Sequence, residues 1–485
     1  MSDVAEQGGL FDRALRRVAS LWRDMADRVT GAEEETVGDQ MRACLDGRGG
    51  EVSARNRAAK LAQAYLALDE AGRRDFLRTL SAFDSDALAV RLAMERVTLA
   101  RDGEERAAAK TRLRRALEPP RVRLLTQFTT IPDGMKFLVD LRAEMLRLAD
   151  GDRRIAALET DLKGLLASWF DVGFLELRRI DWNSPAALLE KLVQYEAVHR
   201  IRTWRDLKNR LDSDRRCYAF FHPRMPDEPL IFVEVALVQG LAESVQRLLD
   251  EKAPVLDARR ADTAIFYSIN NCQRGLDGIS FGNFLIKRVV GVLGLELPNL
   301  KSFATLSPIP GFSRWLAERL AEEGGGGLVT EEDVAALRAA APPPREGAVA
   351  EGGAATTALV AAETPAQILA RILARRGWVR HEPVAKAMEP VLTRLCAGYL
   401  LNEGAKASPK RARDPVAHFH LSNGARVERV NPRADTSDKG VRESAGLMVN
   451  YLYDPARIED YHEEYVGEGR RPAATSLRRL ARGWG

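Results

Sequence analysis

Three short segments of this 485-residue sequence bring together residue types that could do chemistry. The first is 270–290, NNCQRGLDGISFGNFLIKRVV, which reads as a turn leading from a strand into an amphipathic helix. Gly275, Gly278 and Gly282 would let backbone N–H groups approach a phosphate, and the helix N-terminus adds partial positive charge. Lys287 and Arg288 bring further charge close by. The spacing is neither GxxxxGK[ST] nor GxGxxG, so no nucleoside-triphosphate or dinucleotide site is indicated, and a structural turn is the competing reading. The second segment is 305–312, TLSPIPGF. Pro308 and Pro310 cannot continue a sheet or a helix, which predicts Ser307 at a stiff, irregular corner after a strand. No GxSxG elbow supports a hydrolase nucleophile, and an ordinary turn serine is the alternative.

The third segment, 418–424 (HFHLSNG), reads as a short strand meeting a tight turn. On a strand His418 and His420 would share a face, as a metal pair would require. With no third ligand nearby and no HExxH, one exposed and one core histidine is the simpler expectation, so no metal site is assigned. Any histidine general acid must come from His199, His222, His381, His418, His420 and His462. Residues 446–453, GLMVNYLY, alternate like a strand that ends at Tyr453.

The elements around these segments fall into two parts. Up to about residue 168 the pattern is helical: Leu61, Tyr65 and Leu68 lie on one stripe, Leu88, Leu92 and Leu99 on another, and Phe137, Leu138, Leu141 and Met145 on a third. Pro132-Asp133-Gly134 breaks any continuous helix before the last of these. After Trp169, 230–237 (LIFVEVAL) and 263–269 (TAIFYSI) read as buried strands separated by a helix carrying Leu241, Val245, Leu248 and Leu249. A further strand, 302–306, follows a helix beginning near Phe284. The fold class expected is α plus α/β, a helical bundle over 1–168 followed by a mixed-sheet domain over 169–485. The Gly/Ala/Pro-rich stretch 322–365 reads as a low-complexity surface insertion and the basic run 406–413 as a solvated loop.

Composition narrows the function classes. With 73 basic and 69 acidic residues the net charge is +4, too small over this length to indicate a nucleic-acid surface. Only 13 of the basic residues are lysine, a bias more consistent with coding composition than with chemistry. Cys44, Cys217, Cys272 and Cys396 form no CxxC pair, and a reduced, cytoplasmic protein is expected. No apolar run reaches the roughly 18 residues of a membrane span. The first residues show no signal-peptide core and ARGWG is no peroxisomal address, in keeping with that expectation.

The phrases FHPRMPDEPLIFVEVAL, GLDGISFGNFLIKRVV, LSPIPGFSRWL, HFHLSNGA and GLMVNYLY, in that order between about 221 and 453, resemble the malonyl-CoA decarboxylase family. The resemblance implies a helical N-terminal domain, a catalytic domain of acetyltransferase (GNAT-like) fold, and assembly as a homo-oligomer, a dimer or tetramer. It implies conversion of malonyl-CoA to acetyl-CoA and carbon dioxide with no metal or organic cofactor, the substrate's own thioester carbonyl serving as electron sink. Ser307 falls on the family's catalytic serine, His420 on its proton-donating histidine and Tyr453 on an active-site tyrosine. Asp277, Gly278, Ile279, Ser280, Phe281, Gly282 and Asn283 fall on the segment that holds the CoA moiety. Some relatives carry an acidic residue where this chain has Ser280. A CoA-dependent acyltransferase and a non-catalytic CoA-ester binding protein are the alternatives to this reading.

Overall fold

The computed structural model describes residues 22–23, 25, 36–46, 50–279, 285–322, 327–340, 363–375 and 377–482. The chain forms two compact units: Met1–Glu176 with Phe220–Ile231 and Asn271–Phe281, and Leu177–Ala219 with Phe232–Asn270 and Gly282–Gly485.

The first unit is built on helices α1 (Val37–Leu45), α2 (Gly50–Ala67), α3 (Glu70–Ser81), α4 (Ala87–Leu99), α5 (Gly103–Leu117), α6 (Pro120–Phe128), α7 (Gly134–Leu148) and α8 (Arg153–Trp169). Their starts follow from local chemistry. Thr36, Asp69, Asp86, Asp102 and Asp152 each turn a side-chain oxygen back onto first-turn amides that have no partner inside the helix. The Pro-Asp-Gly signal is realised as the break between α6 and α7, with Asp133 in the left-handed region at φ 51°. The stripe on α7 is buried, and Phe137 packs edge-on against Trp22 and Tyr65. The stripe on α4 is not: Leu88, Leu92 and Leu99 are 53%, 48% and 75% exposed, and the buried residue of that helix is Ala93.

The glycine-rich turn begins in this unit, as a 3-10 turn over Arg274–Leu276 packed on α7. Arg142 of α7, itself buried, donates from Nη1 to the Gly275 carbonyl at 2.7 Å and pairs with Glu159 of α8. Gly275 is glycine because the backbones touch: a Cβ there would lie 1.7 Å from the Val139 carbonyl oxygen.

The eight-stranded sheet runs β1 (Glu176–Ile180), β2 (Arg215–His222), β3 (Met225–Val238), β4 (Thr263–Asn271), β5 (Ser302–Thr305), then β10 (Met448–Tyr453) and β6 (Ser307–Pro308), with β9 (Arg426–Asn431) also on β10. β4 and β5 are parallel; β10 is antiparallel to β5, β6 and β9. β4 and β3 confirm two of the expected strands, whereas the helix expected between them shrinks to Val245–Leu248. The run at 406–413 is not a loop: β7 (Gly404–Ala405) and β8 (Ser408–Ala412) pair as a small hairpin. Within the stretch 322–365, residues 331–340 form a helix that buries Val334 and Leu337 and pairs Asp333 with Arg394; the rest includes 323–326 and 341–362, outside the described residues.

These close approaches predict opposite outcomes for two glycines. Gly275→Ala is expected to destabilise by about 1–3 kcal/mol or more, because backbone must move. Gly164→Ala, in mid-α8 with open space around its Cβ, is expected to be neutral or stabilising by up to about 1 kcal/mol. Thermal unfolding of both variants checks this.

Candidate active site

β10 organises the site. Its Leu452 and Tyr453 pair with Ala304 and Phe303 of β5, its Met448 and Val449 with Pro308 and Ser307 of β6, so one register spans both short strands. At the junction Leu306 continues the ladder to β4, its N–H on the Phe266 carbonyl at 3.0 Å, whereas the Tyr451 N–H goes to Thr305 Oγ1 and leaves the Thr305 carbonyl free of β10 backbone. Asn450, fully buried, fills the gap: its Nδ2 donates to the Thr305 carbonyl at 2.7 Å and to the Ala242 carbonyl at 3.0 Å. Alternation along the strands then puts Thr305, Ser307, Tyr451 and Tyr453 on one face. Ala304, Leu306 and Met448 face the other way, into an apolar cluster with Ile265 and Tyr267.

Residues 418–424 are not a strand. Residues 418–422 belong to a helix, Pro415–Ser422, capped by Asp414, and Asn423-Gly424 form the expected turn after it. The signal for it was Asp414-Pro415, an N-cap carboxylate followed by proline at the first helical position. Two residues apart on a helix point in different directions, so His418 and His420 do not share a face. His418 Nδ1 meets the Tyr465 hydroxyl at 2.8 Å, whereas His420 is buried over the sheet face. The corner at Ser307 also differs from expectation: Ser307-Pro308 is paired on β10, because proline is tolerated in so short a stretch at a sheet margin.

The structure thus brings Ser307, His420 and Tyr453 into one hydrogen-bonded chain. Ser307 Oγ lies 3.0 Å from His420 Nε2 and donates to Thr305 Oγ1 at 2.8 Å. Thr305 Oγ1 also accepts the Tyr451 backbone N–H at 3.1 Å. His420 Nδ1 is 2.8 Å from the Tyr453 hydroxyl, and the Tyr451 ring stacks on the imidazole at 4.5 Å and 24°. Ser307, His420 and Tyr453 are 6%, 3% and 1% exposed. Burial pushes the His420 imidazole down to about 3 and holds the Tyr453 phenol well above its ordinary value. At neutral pH both are therefore uncharged. Each ring nitrogen thus has one hydroxyl partner, Ser307 at Nε2 and Tyr453 at Nδ1, and the neutral imidazole donates to one and accepts from the other.

Such an arrangement can recognise an anion. No charged side chain is hydrogen-bonded within the chain, so an arriving carboxylate would itself supply the counter-charge that favours an imidazolium. Of the segment expected to hold a phosphate, Asp277 and Gly278 are exposed and Ile279 is buried, with Gly278 at φ 71°. Ser280, Phe281, Gly282 and Asn283 lie outside the described residues. Reading by motif missed Thr305, Tyr451 and Asn450. Two of them had a signal: Thr305 and Tyr451 each precede a site residue by two on a strand and so must share its face.

Comparison with known proteins follows the same division. The malonyl-CoA decarboxylase N-terminal domain matches residues 83–170 and the malonyl-CoA decarboxylase C-terminal domain matches residues 173–484. The mitochondrial malonyl-CoA decarboxylase of Anser anser anser is 35% identical over 413 residues, 82% of this chain and 78% of that protein. That of Rattus norvegicus is 37% identical over 352 residues, 71% of this chain and 68% of that one. Crystal structures of malonyl-CoA decarboxylases from Rhodopseudomonas palustris (39% identity, TM-score 0.75) and Agrobacterium vitis (38%, 0.78) each cover 92% of this chain, and 100% and 99% of theirs.

The buried neutral imidazole has a stability signature. The unfolded chain takes up this proton near pH 6.5 and the folded one only near 3, so the stabilisation is fully present above pH 6.5 and is lost as pH falls towards 3. His420→Gln is expected to flatten that acid limb by up to about 1.4 kcal/mol per pH unit. Denaturant midpoints from pH 6.5 to 3.5 measure it, and parallel wild-type and variant curves would show that His420 ionises inside the fold.

Proposed function

Since the chain belongs to the malonyl-CoA decarboxylase family, we propose that it converts malonyl-CoA to acetyl-CoA and carbon dioxide with Ser307, His420 and Tyr453 as its reacting groups. The observation that carries this is the contact between the buried Ser307 Oγ and His420 Nε2. Ser307 hydrogen-bonds the malonyl carboxylate and turns it out of the thioester plane, so that the breaking carbon–carbon bond overlaps the carbonyl. Its electron pair passes to the α-carbon and is shared with the thioester oxygen as an enolate. His420 Nε2 then delivers a proton to the α-carbon, forming the new C–H bond, and one proton is drawn from solvent per turnover. Tyr453 holds the imidazole by its Nδ1, and Tyr451 fixes the plane of the ring. The low dielectric strengthens each of these contacts while charge is moving.

Residues 277–283 are proposed to hold the CoA moiety, supported by the tight glycine turn that Arg142 seats at Gly275. Residues 1–168 are proposed as a support and oligomerisation domain, and 169–485 as the catalytic one. The exposed leucines of α4 favour a homo-oligomer, a dimer or tetramer, and the four cysteines, none in a disulfide, suit the cytoplasm. No helix among the described residues is long and apolar enough to cross a membrane.

Purified protein incubated with malonyl-CoA is expected to release acetyl-CoA and carbon dioxide. Product no faster than the uncatalysed reaction would reject the proposal, and acyl transfer to an amine without carbon dioxide release would mark a transferase. His420→Ala and Ser307→Ala should each lower kcat by about 10²–10⁴-fold with the fold intact; full activity of His420→Ala would remove it as the donor. Sedimentation at micromolar concentration should show an assembly larger than a monomer.

A further inference from the structure

Asp414 is buried, 1% exposed, and its carboxylate serves two helices at once. Oδ1 accepts the Val416 and Ala417 N–H groups, each at 3.0 Å, and so caps the helix Pro415–Ser422 that carries His420. Oδ2 accepts the Gly311 N–H at 3.3 Å, and the Tyr399 hydroxyl is hydrogen-bonded to the same carboxylate. Gly311 is the N-cap of the helix Phe312–Ala321 and has no side chain with which to cap it. One carboxylate therefore stands between two helix N-termini, whose partial positive charges both favour the anion. The fit at Gly311 is close: a Cβ there would fall 2.3 Å from the Tyr399 hydroxyl and 3.3 Å from Oδ2.

The two peptides that Asp414 joins lead directly to the reacting pair. Gly311 follows Ser307 by four residues, and Pro308 and Pro310 fix φ along that path, which makes it a stiff arm. His420 follows Asp414 by six residues of helix, an arm of about 9 Å at 1.5 Å per residue. Two stiff arms joined at one end hold a fixed separation at the other. That separation is the 3.0 Å between Ser307 Oγ and His420 Nε2.

We propose that Asp414 is a positioning residue for decarboxylation, clipping the Ser307 strand exit to the His420 helix so that the two reacting groups stay in register. The proposal rests on the reading of Ser307 and His420 as the reacting pair. A misplacement of about 1 Å at such a pair costs on the order of 10²-fold in rate. Loss of the clip acts on kcat, because Asp414 itself does not touch the dyad.

Asp414→Asn separates the clip from a simple helix cap. Asparagine caps a helix as well as aspartate and keeps the oxygen for Val416 and Ala417. It also turns an NH2 group onto the Gly311 N–H, replacing an acceptor by a donor. Expected for Asp414→Asn is a kcat at least about tenfold lower with KM for malonyl-CoA within about twofold. Wild-type kcat, or a loss confined to KM, would overturn the proposal. If Asp414→Asn does not fold, Tyr399→Phe decides, since it removes one donor to the carboxylate and leaves both helix caps: kcat lowered several-fold at constant KM supports the clip, and unchanged kcat rejects it. A readout independent of turnover is the ¹⁵N signal of His420 Nε2, the nitrogen bonded to Ser307, in the protein without substrate. Its shift or loss in either variant supports the clip and an unchanged signal refutes it, even if the wild-type protein proved inactive on malonyl-CoA and the functional reading failed.

Discussion

A hydrogen bond between two residues 113 positions apart in sequence, Ser307 and His420, is the contact on which the rest of the arrangement depends. Both partners are buried, and burying an imidazole is tolerable only if it stays neutral and both its nitrogens are bonded. That requirement fixes the neighbours. Tyr453 bonds Nδ1, Ser307 bonds Nε2 and is itself bonded to Thr305, and the flat face of Tyr451 covers the ring. The buried imidazole is held uncharged, with a hydroxyl and no carboxylate on each ring nitrogen.

The scaffold places these groups by interrupting a sheet. Leu306 keeps the parallel ladder to β4, but at the Thr305–Tyr451 position the Tyr451 N–H goes to the Thr305 hydroxyl instead of its carbonyl, and β5 gives way to β6. The break would leave the Thr305 carbonyl unsatisfied, and Asn450 satisfies it while its own Oδ1 accepts from Asn431 at 2.8 Å and from Arg429 at 3.2 Å. Thr305 and Tyr451, at the break, meet side chain to backbone: the Tyr451 N–H goes to the Thr305 hydroxyl, which also bonds Ser307. The helix Pro415–Ser422 lowers His420 onto this face, and Asp414 anchors its start.

How much of this was legible varies by element and for physical reasons. The break between α6 and α7 was legible because Pro132-Asp133-Gly134 is a local instruction, and α7 because its apolar stripe is regular. The strands at 225–238 and 263–271 were legible as apolar runs. The stripe on α4 was read correctly as a helix, yet its leucines stay exposed, since periodicity states which residues share a face and not what covers it. The segment 418–424 was misread because its alternating histidines imitate a strand; the Asp-Pro start that determines the helix lies just outside it.

The sequence by itself determined the local chemistry: the caps, the proline-stiffened path after Ser307, and the five ordered phrases that carry the family resemblance. It named Ser307, His420 and Tyr453 through that resemblance. Only the tertiary structure decided that these three form a single chain of hydrogen bonds, that Thr305 and Tyr451 complete it, and that one carboxylate spans two helix starts. Burial and long-range contact are what push an imidazole down to about 3 and give both its nitrogens partners. Neither is encoded within any window of neighbouring residues, because both depend on which distant segments exclude water from the same point.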